Sequence, residues 1–136
     1  MDCVLCEILK NEKDRIVYQD DFVFVAMNIE PLKPEHVMVM PVRHVEECGD
    51  LTPDEALVFL KLLDRTAKAV AKASGTKPTC VVNGHGHRTQ AHLHAHVLPT
   101  NCGLRGLFVK AEGSPERKRL SPPELARLAS RLREIF

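Results

Sequence analysis

The fold is decided by one stretch, Ala91-His92-Leu93-His94-Ala95-His96-Val97-Leu98-Pro99. Its histidines alternate with apolar residues, which is the period-two pattern of a strand with one polar and one apolar face. On such a strand the three imidazoles point the same way and lie roughly 6.5 to 7 Å apart. We therefore expect Leu93, Ala95 and Val97 to face the core and the histidines to face a cleft.

Three histidines on one strand face have three explanations. A purely structural role is disfavoured, because stacking partly desolvated titratable groups brings no packing benefit. A catalytic metal is the second explanation, since a His-x-His pair on a strand can hold one zinc and leave room for a water. In the third, one neutral imidazole attacks as a nucleophile while its neighbours donate hydrogen bonds to the leaving charge. The triplet by itself leaves the last two open.

Length and composition are those of an ordinary globular chain. The 136 residues are most simply one domain with a single core. The formal net charge is +1, so there is no general electrostatic case for a nucleic-acid partner. No run approaches the ~18 consecutive apolar residues of a membrane span, and the N-terminus has no secretory pattern. We expect a soluble cytoplasmic protein with neither a nucleic-acid nor a membrane partner.

The cysteines point to a reducing compartment. Five is an odd number, which excludes a complete set of intrachain disulfides. Cys3 and Cys6 form Cys-x-x-Cys, a spacing that suits two thiolates on one metal ion or a redox pair. A redox pair normally follows a strand, and no strand precedes this one. We expect the isolated Cys48, Cys80 and Cys102 to be small buried residues.

Strand signals place these motifs on a sheet. Residues 16–18 and 22–27 are β-rich runs around the polar turn 19–21, which predicts a hairpin. Residues 36–42 are nearly all apolar and predict a buried third strand. Residues 79–82 predict a fourth strand that leads towards the histidine stretch.

Two helices begin with the same signature. Thr52 and Ser121 are N-caps, each followed by proline at the first helical position and glutamate at the third. The first helix is predicted to end at Ser74-Gly75 and to cover the sheet. Its expected buried stripe is Leu57, Leu60, Leu63, Ala67 and Val70. The stripe of the second helix is Leu125, Leu128, Leu132 and Ile135.

Polar residues stand where the predicted strands end. Asn28 follows the second strand and either caps a loop or contacts a ligand. His36 and His44 bracket the third strand, as surface histidines or as parts of a site. Residues 83–90 form a glycine-containing loop in which backbone N–H groups can approach an anion.

These features together resemble the histidine triad (HIT) superfamily of nucleotide hydrolases and transferases. The carrying motif is His92-Leu93-His94-Ala95-His96-Val97-Leu98, and the resemblance extends upstream through Asn83, His36 and Asn28. It implies an α+β HIT fold, a five-stranded, mainly antiparallel sheet with one long helix and a C-terminal helix. It further implies a single domain over residues 1–136, with its core in 3–99 and an extension in 100–136, and a homodimer.

The resemblance implies a covalent mechanism. His94 would attack the α-phosphorus of a nucleotide, and water would release a nucleoside monophosphate from the nucleotidyl-histidine. Its other ring nitrogen would be held protonated by a backbone carbonyl. The residues implied to bind phosphate are Asn83, Thr89 and His96, and those implied to contact the nucleoside or support the triad are Asn28 and His36.

The resemblance also implies a structural zinc site. Its ligands would be Cys3, Cys6, His44 and His92, a closed Cys2His2 set that leaves His94 free to attack. Mg²⁺ would enter only with the substrate phosphates. Two rivals stay open, a zinc-containing nucleotide-binding adaptor without turnover and a metallohydrolase with a catalytic zinc on His92 and His94.

The sequence departs from the family pattern in several places. The family's Gly-Gln-Ser/Thr element is replaced by His87-Arg88-Thr89 in a shorter loop. Asn28 stands where members of the phosphoramidase branch, Hint, generally carry aspartate. Asn28 together with Leu98-Pro99 resembles the Fhit branch, which cleaves dinucleoside polyphosphates, but Cys3, Cys6 and His44 are foreign to Fhit. The predicted substrate is therefore a dinucleoside polyphosphate or a nucleoside phosphoramidate.

Overall fold

The computed structural model describes residues 3–113 and 119–136. Its helices are α1 (Val4–Asn11), α2 (Pro53–Ser74), α3 (Leu104–Glu112) and α4 (Pro122–Ile135). Its strands are β1 (Ile16–Gln19), β2 (Val23–Met27), β3 (Val37–Pro41), β4 (Pro78–Asn83) and β5 (His94–Pro99). The chain divides into two units, Met1–Leu104 and Arg105–Phe136. A single domain over the whole chain stays a prediction, and residues 114–118 of its extension lie outside the described residues.

The five strands form one antiparallel sheet in the order β1-β2-β3-β5-β4. This arrangement confirms the predicted α+β fold, with α2 as the long helix and α4 as the C-terminal helix. The predicted hairpin is formed by β1 and β2. Strand β5 lies between β3 and β4, so His96 is opposite Met38 on one side and Val81 on the other.

Alternate side chains of the sheet pack on opposite faces. The face towards α2 is apolar and contains Val23, Val25, Val37, Val39, Ala95 and Val97. The face towards α1 contains Phe24, Ala26, Met38 and Met40. The prediction that Ala95 and Val97 face the core is thus confirmed, and His94 and His96 lie on the face shared with α1.

The histidine stretch becomes a strand later than expected. Strand β5 begins at His94, because the Leu93 N–H donates to the carbonyl oxygen of Val45 at 2.6 Å and not to a neighbouring strand. His92 and His94 are 0% and 4% exposed. The expectation that His92 faces a cleft is therefore wrong, since the chain that follows β3 covers it, whereas a cleft in front of His94 stays a prediction.

Helix α2 begins and ends as predicted but presents a different face to the sheet. The Thr52 capping box and the left-handed Gly75 are both present. Leu57 and Leu60 are 54% and 62% exposed, which corrects their predicted burial. The buried stripe is Glu55, Phe59, Leu62, Thr66 and Val70. Both sets of residues recur at helical spacing. The ion pair between Glu55 and Arg43 fixes which set faces the sheet.

The remaining chain departs from expectation in its burial. The Ser121 capping box of α4 is confirmed, whereas its apolar residues Leu125, Leu128, Leu132 and Ile135 are exposed. Cys48 and Cys80 are exposed and Cys102 is half-buried, so their predicted burial is wrong. Cys48 lies in a surface 3-10 turn, and Cys80 lies on the edge strand β4. Among the described residues, no helix has the length and apolarity of a membrane span.

Candidate functional site

Strand pairing brings several of the predicted site residues together along one face of β5. His94 lies opposite Asn83, the last residue of β4. His96 lies beside Met38 of β3, and His36 immediately precedes that strand. The sequence folds this way because β5 lies between β3 and β4, and the apolar residues of the sheet pack against α1 on one face and α2 on the other. Residues separated by more than fifty positions thereby form one polar cluster.

The hydrogen bonds of His94 define the state of its ring. Nδ1 lies 2.7 Å from the carbonyl oxygen of His92, and because a carbonyl only accepts, Nδ1 carries the proton. Nε2 of a neutral ring then holds a lone pair, towards which the Asn83 side-chain amide donates at 3.1 Å. Burial lowers the pKa of His94, and the charge of Arg88 lowers it further, against the opposing effect of the His92 carbonyl. The ring is thus neutral at neutral pH.

A second chain of hydrogen bonds fixes His96. The Leu32 N–H donates to Nδ1 of His36 at 3.1 Å, which leaves the His36 proton on Nε2. That N–H donates to Nδ1 of His96 at 2.8 Å. His96 therefore carries its proton on Nε2. Burial, with smaller effects of His94 and His36, lowers the pKa of His96 to about 4.

His36 and Asn28 are held by local contacts. His36 is 3% exposed, so the surface interpretation is wrong for this residue, and burial lowers its pKa. The side-chain oxygen of Asn28 accepts from the Glu30 N–H at 2.9 Å, which is the loop-capping contact that the sequence left open. A contact of Asn28 with ribose stays a prediction.

Four sulfur and nitrogen ligands converge beside the triplet. One ligand atom from each of Cys3, Cys6, His44 and His92 lies within 4.8 Å of the others. Nδ1 of His92 is 3.5 Å from Cys3 Sγ and 3.3 Å from Cys6 Sγ. A tetrahedral zinc with ordinary bond lengths separates sulfur from nitrogen by about 3.6 Å, so the set fits such an ion.

The protonation states of this ligand set also suit a cation. His92 donates from Nε2 to the Pro41 carbonyl at 2.9 Å, which turns the lone pair of Nδ1 towards the sulfurs. Burial and the neighbouring Cys3 raise the pKa of Cys6 to about 11. A bound cation would stabilise the thiolate that burial disfavours. His94 is not in this set, and its Nε2 faces Asn83.

Contacts that the sequence did not predict position the segment with His44. Arg43 pairs with Glu55 at 2.8 Å and donates to the Asp50 carbonyl at 2.8 Å. Arg88 donates from Nη1 to the carbonyl oxygens of Glu46 and, at 3.2 Å, Asn83. The sequence offered two signals for these contacts. Arg43 is a charged residue just after the buried strand β3, and Arg88 is a charged residue inside the glycine-containing loop.

The loop between β4 and β5 is mostly exposed. Thr89 is exposed, and no described hydrogen bond joins it to the triad histidines, so its phosphate role stays a prediction. Gly84 is buried, and a Cβ atom there would lie 2.4 Å from Cys48 Sγ. A side chain at this point, directly after Asn83, would require Cys48 Sγ to move away.

Comparisons with known proteins agree on one family. The HIT domain family matches residues 10–102. An uncharacterized HIT-like protein of Methanocaldococcus jannaschii is 30% identical over 101 residues, which cover 71% of this chain and 78% of that protein. The AP-4-A phosphorylase of Mycobacterium tuberculosis is 32% identical over 95 residues, which cover 67% of this chain and 49% of the phosphorylase.

A solved structure agrees in fold. A HIT family protein from Bacillus subtilis superposes with a TM-score of 0.75 over 100% of this chain and 98% of its own, at 19% identity. At that identity the likeness concerns the fold alone. The five-stranded sheet and its helices are therefore shared with a protein of the same named family.

Proposed function

This chain belongs to the HIT domain family, and from that premise we propose that it is a nucleotide hydrolase or transferase that acts at the α-phosphate through a covalent nucleotidyl-His94. The name of the mycobacterial relative, AP-4-A phosphorylase, supports a substrate with a nucleoside phosphate. The substrate is a dinucleoside polyphosphate or a nucleoside phosphoramidate. The product is a nucleoside monophosphate.

One observation carries this proposal. The Nδ1–H of His94 donates to the His92 carbonyl at 2.7 Å, so the lone pair of its buried, neutral ring lies on Nε2, beside Asn83. A neutral imidazole with one nitrogen anchored and the other unprotonated is a nucleophile at neutral pH. Burial contributes because it disfavours the imidazolium form, which has no free lone pair.

The reaction proceeds in two steps. Nε2 of His94 attacks the α-phosphorus, a P–N bond forms, and the leaving group departs with the electron pair of its bond to phosphorus. The ring then carries a positive charge, which the His92 carbonyl stabilises through Nδ1–H. Asn83 Nδ2 and His96 Nε2–H donate to the phosphate oxygens as charge develops. Water next attacks the phosphorus of the adduct, the P–N bond breaks with its electron pair returning to His94 Nε2, and a proton of the water passes to solvent, which releases the monophosphate and restores the neutral ring.

A zinc ion on Cys3, Cys6, His44 and His92 is the second part of the proposal. This ion is structural, because four protein ligands close its coordination and leave no position for a water. It would join the start of α1 to the segment that follows β3 and to the chain just before β5. The catalytic steps are assigned to other residues, and Mg²⁺ would accompany only the substrate phosphates.

We also propose a homodimer that joins sheets. Strand β4 is an edge strand whose Val81 and Val82 are exposed, and such edges readily pair with another strand. Sedimentation equilibrium should give twice the chain mass, and Val82→Lys should give the chain mass. A monomeric wild-type protein would refute this assembly.

The test of the proposed function is mass analysis after brief mixing with diadenosine tetraphosphate or adenosine 5′-phosphoramidate. The wild-type protein should gain the mass of one adenylyl group, which acid should remove. His94→Asn should gain nothing while it keeps its fold, and the control His87→Asn, in the exposed loop, should behave like wild type. An adduct on the His94→Asn protein would refute His94 as the nucleophile. Tight nucleotide binding without an adduct or turnover in the wild type would indicate an adaptor.

A further inference from the structure

The hydrogen bonds around the triad leave no positively charged imidazole to balance the negative charge of the substrate. His36 accepts on one nitrogen and donates from the other, and His96 accepts on Nδ1, so both rings are neutral by their contacts. Neutral donors can orient phosphate oxygens but contribute little to binding a polyanion. Within the protein, a positive charge has to come from a side chain other than these imidazoles.

Arg88 is a cation connected to the reactive nitrogen through Asn83. Its Nη1 donates to the Asn83 carbonyl oxygen at 3.2 Å, and the side chain of the same Asn83 donates to His94 Nε2 at 3.1 Å. The second bond of Nη1, to the Glu46 carbonyl, ties the guanidinium to the segment after β3. Arg88 is half-buried, so its position is fixed more firmly than that of a free surface arginine.

The guanidinium keeps an unused edge. In residues 3–113 and 119–136, the described hydrogen bonds of Arg88 all start from Nη1, and no described carboxylate pairs with it. The carboxylates of Glu46 and Glu47, in the segment that Arg88 contacts, lie 3.7 Å from His44 and 3.7 Å from His85 respectively. The N–H groups of Nε and Nη2 are therefore available as a planar fork, the geometry that binds two phosphate oxygens at once.

We propose that Arg88 binds the phosphate of the leaving group and thereby makes the enzyme selective for substrates whose leaving group is a phosphate or polyphosphate. This inference rests on the proposed function and extends it from the attacked phosphorus to the group that departs. Arg88 contacts the substrate directly, and its hydrogen bond to the Asn83 carbonyl fixes the position of the guanidinium.

The chemistry of the two leaving groups explains the selectivity. When the P–O bond to a phosphate breaks, its electron pair stays on the departing oxygen, and negative charge grows there in the transition state. A preorganised cation lowers the energy of that state. The nitrogen of a phosphoramidate takes a proton from solvent and leaves as a neutral amine with the electron pair of the P–N bond, so a nearby cation gives it no such assistance. Arg88 should thus matter for dinucleoside polyphosphates and not for phosphoramidates.

The experiment compares Arg88→Gln, Arg88→Lys and wild type on diadenosine tetraphosphate and on adenosine 5′-phosphoramidate. Arg88→Gln should lower kcat/KM for the tetraphosphate on the order of 10²-fold and for the phosphoramidate by less than about threefold. Arg88→Lys, which keeps the charge without the fork, should lie between wild type and Arg88→Gln on the tetraphosphate. Added guanidinium ion should restore part of the tetraphosphate rate of Arg88→Gln and leave the phosphoramidate rate unchanged.

The control is Lys72→Gln on α2, which removes one positive charge from an exposed position on the opposite face of the sheet and should change neither rate. Equal losses on both substrates would overturn the proposal, because they would mean that Arg88 only positions Asn83. Unchanged rates in Arg88→Gln would overturn it as well. A wild-type protein that forms no adduct from either substrate would refute the proposed function. This result is obtained before any variant is compared, so it is distinct from a failure of the Arg88 proposal.

Discussion

At the scale of single residues, the site is a set of proton positions fixed by backbone groups. The Leu32 N–H sets the tautomer of His36, and His36 sets that of His96. The carbonyls of His92 and Pro41 set the tautomers of His94 and His92. Each ring thus presents a defined atom, a lone pair on His94 and an N–H on His96, without a charged partner.

This arrangement predicts a specific loss of stability in acid. The pKa of His96 is about 4 in the folded chain, whereas an unfolded histidine has a pKa near 6.5, so the unfolded state binds the proton first. Stability should fall as the pH falls from ~6.5 to ~4, because burial disfavours the imidazolium form of His96, and His94 and His36, the groups facing it, add smaller opposing effects. In thermal melts over this range, His96→Gln should lose fewer degrees than wild type, and His87→Gln should match wild type. Equal pH slopes for wild type and His96→Gln would contradict the burial of a neutral His96.

At the scale of elements, the start of α2 controls the segment that follows β3. Glu55 accepts from the Thr52 N–H at 2.8 Å within the capping box and receives Arg43 through both carboxylate oxygens. One buried carboxylate thereby orients α2 on the sheet and holds the chain just before His44. The same contact explains why the inward stripe of α2 begins at Glu55.

Glu55→Gln should therefore destabilise the fold by about 1 kcal/mol near neutral pH, because it removes the charge that both the cap and Arg43 use. Arg43 and the cap lower the pKa of Glu55 from 4.5 to about 2, so this contribution is present above pH 4.5 and is lost as the pH falls towards 2. Urea denaturation of the variant at neutral and acidic pH measures it. Asp64→Asn, which breaks the exposed pair with Lys68, should change stability by less than about 0.5 kcal/mol. A Glu55→Gln protein as stable as wild type at neutral pH would show that the pair is dispensable.

At the scale of the whole molecule, the sequence predicted features that depend on neighbours along the chain. The caps at Thr52 and Ser121 depend on three or four consecutive residues, and both are present. The alternation in β5 predicted which of its residues pack against α2. The inward face of α2 and the contact of Arg88 with Glu46 depend on partners far away in the sequence. The spacing of residues along the chain does not predict such contacts.

The set of Cys3, Cys6, His44 and His92 is the widest of these long-range contacts, since it joins residues from both ends of the Met1–Leu104 unit. If it holds a structural zinc, a chelator should lower the melting temperature, and Cys3→Ala should do the same without a chelator, because α1 loses its tie to the chain before β5. Cys102→Ala, which changes a cysteine outside the set, should leave the melting temperature and its response to chelator unchanged. Below the lowered melting temperature, the chelated protein should still form the His94 adduct. Loss of the adduct in chelated protein that is still folded would assign the metal to the chemistry and contradict a structural role.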